Sequence, residues 1–341
     1  MAETHRRIIM TSRPKAEPTP DNFRLEEGPV PKAGAGEILV RTKYLSLDPY
    51  MRGRMSDAAS YAAPVEVGGL MQGELVGEVV SSDNEKFKVG EHIAGHLGWQ
   101  SHAVSNGKGL RKLDAGQPLA PSLGVLGMPG MTAYTGLLEI GQPKAGETVL
   151  VAAASGAVGQ LVGQIAKLKG ARAVGIAGGP EKCRYVVEEL GFDACIDHKA
   201  PGMAEHLKEA CPKGVDVYFE NVGGPVFEAV FPLFNFFARM PVCGLISQYN
   251  MTELPAGPNK VPQLFRAVLT KRLTIRGFIV WDFAAREADF RRDMAAWVKS
   301  GEIKHREHIV DGLENAPSAF IGLLRGENFG KTVVRVAPDA K

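Results

Sequence analysis

The stretch "VAAASGAVGQLVGQIAKLKGARAVGIAGGPEK", Val151 to Lys182, carries the residues whose spacing most clearly implies chemistry. Its apolar start runs into "ASGAVG" and then into a segment with helical periodicity. That strand–turn–helix context is the one in which a glycine turn cradles a dinucleotide pyrophosphate. Gly156 lets the backbone approach the phosphates, and Gly159 lets the helix pack on the strand. The helix start adds free N–H groups and a positive dipole. Ala154 stands where the first glycine of the fingerprint belongs, which is workable if its φ stays negative. An NAD site carries an acidic residue at the end of the next strand, for the ribose 2′-hydroxyl. Here that neighbourhood is "AGGPEK", with Gly178, Gly179 and Lys182, and Arg184 close by. Removing a carboxylate and supplying a cation predicts NADPH rather than NADH.

Other side chains have types suited to metal or redox chemistry. His92, His96 and His102 cluster in "EHIAGHLGWQSH". The segment reads as strand, where residues four apart sit ~13 Å apart, too far for one metal. His305 and His308 read as solvated connector residues. Cys183, Cys195, Cys211 and Cys243 include no CxxC pair, so their spacing indicates neither a zinc ribbon nor a redox dithiol. Reduced thiols in a cytoplasmic protein are expected.

These residues need elements to position them. A chain of 341 residues suits two domains. With 45% hydrophobic and 23% charged residues it reads as soluble and globular. A net charge of +2 argues for neither nucleic acid nor an anionic membrane as partner. The N-terminus "MAETHRRIIM" has no signal-peptide pattern, and the glycines and glutamines of the Val149–Ala166 run argue against a span. The first third, with "GEILVRTKYLSLDPYMRG" and "GELVGEVVSSDNEKFKVGEHIAGHLGW", reads as short strands of a strongly bent β-domain. From Gly146 strands alternate with helices to about residue 250, which predicts a doubly wound parallel sheet. The tail "FGKTVVRVA" returns to strand character.

The motifs "LSLDPYMRGRM", "GMPGMTAYTGLLEIG", "AASGAVGQLVGQIAKLKG", "GGPEKC", "YFENVGG", "CGLISQYN" and "ENAPSAFIGLLRGENFGK" span nearly the whole chain. In that order the sequence resembles the medium-chain dehydrogenase/reductase superfamily. It is most similar to the zinc-independent branch of leukotriene/prostaglandin reductases, double-bond reductases and bacterial curcumin reductases. The resemblance implies an α/β fold: a Rossmann domain over residues 127–311 and a bent, GroES-like β-rich catalytic domain over 1–126 and 312–341. It implies a homodimer. It places Gly156, Ala157 and Val158 at the pyrophosphate, and Gly178 and Lys182 at the 2′-phosphate. His198 stands where this branch often has a tyrosine at the adenosine end. Asn221 would line the cofactor cleft, and Ser247, Tyr249 and Asn250 the nicotinamide half, with Phe278 and Ile279 beside it. Asn328 would reach the cofactor from the tail. Tyr50 and Met51, with Met131 and Thr132, would complete the surroundings.

Zinc-using members carry a G-H-E stretch, and here it reads "QGELVG", with Gly73 in the histidine's place and Glu74 kept. The ligand cysteine expected near "LSLDPY" is also missing, so no catalytic zinc is expected. Without a Lewis acid on a carbonyl, the easier reaction is hydride delivery to the β-carbon of an enone. Hydrogen-bond donors can then hold the enolate oxygen while a hydroxyl protonates the α-carbon. Tyr249 is the first candidate for that hydroxyl, with Tyr61 and Tyr50 as rivals. Tyr50, Tyr61, Met71 and Trp281 are expected to line the substrate pocket. The expectation is thus an NADPH-dependent oxidoreductase acting on α,β-unsaturated ketones and aldehydes. Quinone reduction and non-catalytic NADPH binding are the alternatives.

Overall fold

A computed structural model describes residues 3–253 and 255–337. Two compact units emerge, one from the residues up to Gly124 and from Glu307 onward, the other from Val125–Arg306.

The first unit begins with β1 (Thr4–Met10), β2 (Phe23–Pro29) and β3 (Ile38–Ser46). The one-turn helix α1 (Met51–Arg54) and strands β4 (Glu74–Ser82), β5 (His92–His96), β6 (His102–Ser105) and β7 (Arg111–Lys112) follow. The chain then builds the second unit from α2 (Met128–Thr135), β8 (Thr148–Val151), α3 (Gly159–Leu168), β9 (Arg172–Ala177), α4 (Pro180–Glu188), β10 (Ala194–Asp197) and α5 (Met203–Ala210). That unit continues through β11 (Val215–Phe219), α6 (Gly224–Val230), β12 (Phe234–Val242), α7 (Val261–Lys271), β13 (Thr274–Gly277) and α8 (Glu287–Ser300). The return leg adds β14 (Glu307–Asp311), α9 (Ala316–Leu324) and β15 (Lys331–Arg335) to the first unit.

In the first unit the sheet order is β14-β15-β3-β4-β5-β7, with β6 paired to β3. All of its pairs are antiparallel except β14 with β15. Ile38, Val40 and Leu45 of β3 are completely buried, and a register shift between Thr42 and Tyr44 changes the parity between Val40 and Leu45. Beneath them Trp99 stacks on Phe23 at 5.9 Å and meets Phe320 of α9 edge-on at 5.8 Å. Aromatic pairs of this kind add to the area they bury.

In the second unit six strands run in the order β10-β9-β8-β11-β12-β13, every pair parallel. Val149, Leu150 and Val151 of β8 and Val217, Tyr218 and Phe219 of β11 are fully buried. Continuous apolar runs are what a sheet covered on both faces requires. Helix α3 buries Leu161, Val162, Ile165 and Ala166 against that sheet. This is the doubly wound α/β architecture expected from the alternation.

The structure departs from the sequence reading in three places. The alternation does not stop near residue 250: β13 adds a sixth strand. It is an edge strand with all four residues exposed, so it carries no apolar run to read. Strand β12 begins at Phe234, well before "RMPV". His308 is no connector but a residue of β14, which pairs with β15 in register His308↔Thr332. That pairing sets residues 307–311 with the antiparallel sheet rather than with the Rossmann unit.

Candidate active site

The carboxyl ends of β8 and β11 meet at the point where strand order reverses, with β9 on one side and β12 on the other. Open α/β sheets bind ligands at such a switch point. Asn221, just after β11, donates from Nδ2 to the Ala152 carbonyl just after β8, 2.8 Å away. The next loop is tied to it: Ile246 N–H donates to Asn221 O at 3.2 Å, and the Ser247 hydroxyl donates to Val222 O. Tyr249 closes the loop on itself, its hydroxyl accepting from the Leu245 N–H at 3.3 Å. Asn221, Ser247 and Tyr249 are therefore one hydrogen-bonded group.

Glu220 organises the same group from below. It is fully buried, and its Oε1 accepts from the Val222 N–H at 2.7 Å, the Gly223 N–H at 2.9 Å and the Tyr218 hydroxyl at 3.1 Å. Burial raises its pKa, outweighing these bonds. The sequence reading passed over Glu220, although a carboxylate inside an apolar strand end, "YFENVGG", is a signal for loop organisation.

The glycine turn lies on the same edge. Gly156, Ala157 and Val158 are half-buried at the entry to α3. The left-handed residue of the turn is Ala153, with φ 51°, and Ala154 does not share that conformation. The extra methyl of Ala154 is accepted because β9 has Gly175 opposite: a Cβ there would stand 2.7 Å from Ala154 Cβ.

Beyond β9 the chain gathers cations. Lys182 is half-buried in the first turn of α4, and its pKa is lowered by burial and then by Lys199. His198 is lowered by burial and by Lys199. By surface area His198 is exposed, yet a Cβ on Gly178 would meet its Nε2 at 2.9 Å and Lys199 Cε at 3.1 Å. Gly178 thus leaves a cradle walled by Lys182, His198 and Lys199. Asp197 holds its floor, accepting from the Gly179 N–H at 2.8 Å and the Lys199 N–H at 2.9 Å. Lys199 was missed in sequence because "CIDHK" ends β10, a strand whose end neighbours that of β9 only in the sheet.

Other expected residues have different surroundings. Phe278 is 7% exposed and packs edge-on against Phe219 at 6.3 Å, so it supports the site as core. Ile279 is half-buried at the start of a 3-10 turn that carries Trp281, which is 61% exposed. Met131 and Thr132 are buried in α2.

In the antiparallel unit Tyr50 and Tyr61 share one cation. The Arg54 guanidinium lies 4.4 Å from the Tyr61 ring centroid and 5.8 Å from that of Tyr50. Tyr61 is exposed, whereas burial and the nearby Asp48 and Glu74 carboxylates push the Tyr50 hydroxyl far up. Tyr50 therefore stays protonated at working pH. Met71 is 0% exposed in the core around Trp99, a cluster against which Tyr50 also packs. Asn328, in the tail, donates to Gly330 O at 2.8 Å.

Around Gly73 the packing opposes a histidine. A Cβ there would meet Trp99 Nε1 at 2.8 Å and Met51 Cε at 3.1 Å, so two core side chains fill the space. His92 and His96 stand at opposite ends of β5, facing Glu78 and Glu74. Among the described residues no three His, Cys, Asp or Glu side chains converge as a metal site would need. Asp48 instead pairs with buried Lys331, 2.8 Å away, which also donates to Leu47 O.

Residues 6–113 match the family model described as the N-terminal domain of oxidoreductase, and residues 157–300 the one described as zinc-binding dehydrogenase. The chain belongs to the medium-chain dehydrogenase/reductase superfamily. Within it, the chain is 58% identical to the NADPH-dependent curcumin reductase of Escherichia coli (strain K12), over 99% of this chain and 98% of that one. It is 44% identical to prostaglandin reductase 1 of Rattus norvegicus, over 93% of this chain and 95% of that one. A crystal structure of CurA from Vibrio vulnificus in complex with NADPH superposes with a TM-score of 0.95 at 54% identity, covering 98% of this chain and 100% of that one. The second family description refers to zinc and matches residues 157–300, whereas Gly73, Trp99 and Met51 lie in the part matched by the first.

Proposed function

We propose that this chain is an NADPH-dependent oxidoreductase that reduces the activated C=C bond of α,β-unsaturated ketones and aldehydes. The cradle around Gly178 carries the reading. Lys182, Lys199 and His198 repel one another when charged, and a 2′-phosphate dianion relieves that repulsion. Gly156, Ala157 and Val158 lead into α3, where the helix dipole favours the pyrophosphate; the Gly156 N–H closes the turn on Ala153 O at 2.9 Å, and the N–H groups of Ala157 and Val158 are proposed to meet the phosphates. Asn221 and Ser247 border the nicotinamide half, with Ile279 beside them. Bound NADPH supplies a hydride to the substrate β-carbon.

The protein's own part is to hold the enone and to place a proton. Tyr249 is the proposed proton donor to the α-carbon, its hydroxyl oriented by the Leu245 N–H. In the antiparallel unit Tyr50 remains a neutral donor, with Arg54 beside it and Tyr61. Trp281 supplies an exposed apolar face for a flat substrate.

The test is a panel of enones, enals, quinones and saturated ketones, followed through NADPH absorbance and product analysis. Rapid NADPH consumption with the enones and enals, giving the saturated carbonyl, is expected. No consumption with any of them would sink the reading. In the Tyr249→Phe variant kcat for enones should fall about a hundredfold, the contribution of a positioned general acid, with KM for NADPH within about twofold. Undiminished turnover would remove Tyr249 from the donor role.

A homodimer is also proposed. Among the described residues strand β13 ends the parallel sheet, and α7, packed on its neighbour β12, buries no residue. Ile275 is 39%, Phe265 67% and Leu269 77% exposed. A second copy pairing through β13 would cover both edge and apolar face. Light scattering should give twice the chain mass for the wild type and the single-chain mass for Ile275→Lys; a monomeric wild type would refute it. Among the described residues no helix is long and apolar enough to cross a membrane. The four free cysteines suit a reducing compartment, and a cytoplasmic location is proposed.

A further inference from the structure

A single buried carboxyl stands under the two loops that follow β11 and β12. Glu220 comes directly after β11 and is 0% exposed. Its main chain belongs to the sheet. The Glu220 N–H donates to Pro241 O at 3.0 Å, and Glu220 O accepts from the Cys243 N–H at 2.9 Å and the Gly244 N–H at 3.2 Å. Its side chain serves the next residues of its own loop. Oε1 takes the Val222 N–H at 2.7 Å and the Gly223 N–H at 2.9 Å, while Oε2 meets no hydrogen-bond partner among the described residues. With the Tyr218 hydroxyl included, the bonds of the carboxyl fall on one oxygen.

The turn that Oε1 fixes carries the second loop. Val222 O accepts from the Ser247 N–H at 3.1 Å and from the Ser247 hydroxyl, and Asn221 O accepts from the Ile246 N–H at 3.2 Å. The packing is equally close. Gly223 and Gly224 have φ of 74° and 55°. A Cβ on Gly223 would meet Gln248 Nε2 and Leu245 Cδ2, both at 3.1 Å, and one on Gly224 would meet Ser247 Oγ at 3.1 Å. Residues 221–224 and 245–248 therefore form one body. Two side chains tie it to the sheet: Asn221, through Ala152 O at 2.8 Å, and Glu220, through Oε1.

An uncharged acceptor suffices for this task. Burial raises the pKa of Glu220 more than its hydrogen bonds lower it, which favours the carboxylic acid. A backbone N–H needs only a carbonyl oxygen, which the acid and a glutamine amide both present. An apolar side chain of similar length would leave two amides without an acceptor, and the turn would rearrange to find one.

We propose that Glu220 is the positioning residue of the nicotinamide half: its Oε1 holds the 221–224 turn, and through it Ser247 and the loop to Tyr249, in the geometry that hydride transfer needs. This deepens the functional reading given above and rests on its placement of Asn221 and Ser247. Being fully buried, Glu220 acts through the turn and not on the reacting atoms. Its removal therefore lowers kcat far more than it raises KM for NADPH, which the 2′-phosphate cradle sets.

The full-length wild type is compared with Glu220→Gln and Glu220→Met. Glu220→Ala serves where Glu220→Met does not fold, since the space it opens admits water to the two amides. Hydrogen–deuterium exchange reads the loops, with the β8 peptide as reference. Emission of bound NADPH reads the surroundings of the nicotinamide. Kinetics with NADPH and with NADPH dideuterated at the nicotinamide C4 read the hydride step. In Glu220→Met the amides of 221–224 and 245–249 should exchange at least about tenfold faster, and the emission of bound NADPH should shift. There kcat with an enone should fall about a hundredfold with a larger deuterium isotope effect, and KM for NADPH should stay within about threefold. Glu220→Gln should match the wild type within about twofold in every readout. Unchanged loop exchange in Glu220→Met, or a lowered Tm with unchanged kcat and emission, overturns the proposal. So does a loss in Glu220→Gln as large as that in Glu220→Met. A wild type that binds NADPH and reduces no enone overturns the functional reading instead, and exchange and emission then decide on Glu220 separately.

Discussion

Replacing Lys182 and Lys199 together by alanine should raise KM for NADPH about a hundredfold and leave KM for NADH within about twofold. Each ammonium offers the 2′-phosphate a charge-assisted hydrogen bond, worth roughly 1.5–3 kcal/mol where it is partly desolvated. Lys182 meets that condition, since burial is the first cause of its lowered pKa and Lys199 the second. Removing only Lys182 should cost about tenfold, because Lys199 and His198 remain at the cradle and relax once the repulsion is gone. The sign is specific: NADH has no phosphate at this place, so neither lysine touches it. Steady-state kinetics with both cofactors read the effect. Equal losses for NADPH and NADH would assign the lysines to folding rather than to cofactor choice.

Gly159→Ala should cost about 3 kcal/mol or more and abolish cofactor binding, although it adds a single methyl. The Cβ of an alanine would stand 2.2 Å from the Ala153 carbonyl oxygen and 2.8 Å from its carbon. Both are backbone atoms, so no side chain can swing away. The turn has little slack, because Ala153 is already held at φ 51°, a region that a residue with a Cβ enters at a cost. Relief requires the start of α3 to lift from β8, which uncovers Leu161 and Val162 and turns the helix N–H groups off the phosphate position. For a unit of this size about 3 kcal/mol corresponds to a Tm lower by roughly 6–12 °C. Gly156→Ala is the control: its Cβ would meet the same oxygen at 3.2 Å, a contact that a small shift accommodates. Thermal unfolding of both variants, with NADPH titrations, separates them. An unchanged Tm for Gly159→Ala would mean that the turn opens more easily than its packing implies.

Much of this was legible before folding. "TVLVAA" running into "ASGAVG" could only be a buried strand entering a helix. The absence of an acidic residue in "AGGPEK" pointed to NADPH, because charge complementarity at that one strand end is local in sequence. Gly73 in place of a histidine removed a ligand from the metal set, and ligand identity is likewise a matter of residue type. Tertiary structure decided what depends on neighbours brought from afar. It put Lys199 and His198 beside Gly178, since β10 pairs with β9. It buried Met71 in the apolar cluster that Tyr50 borders, a neighbourhood that alternation along a strand does not give. It added β13, an exposed edge strand without an apolar pattern. Residue type determines which chemistry a position can offer; only the register of sheet and helix determines which positions offer it together.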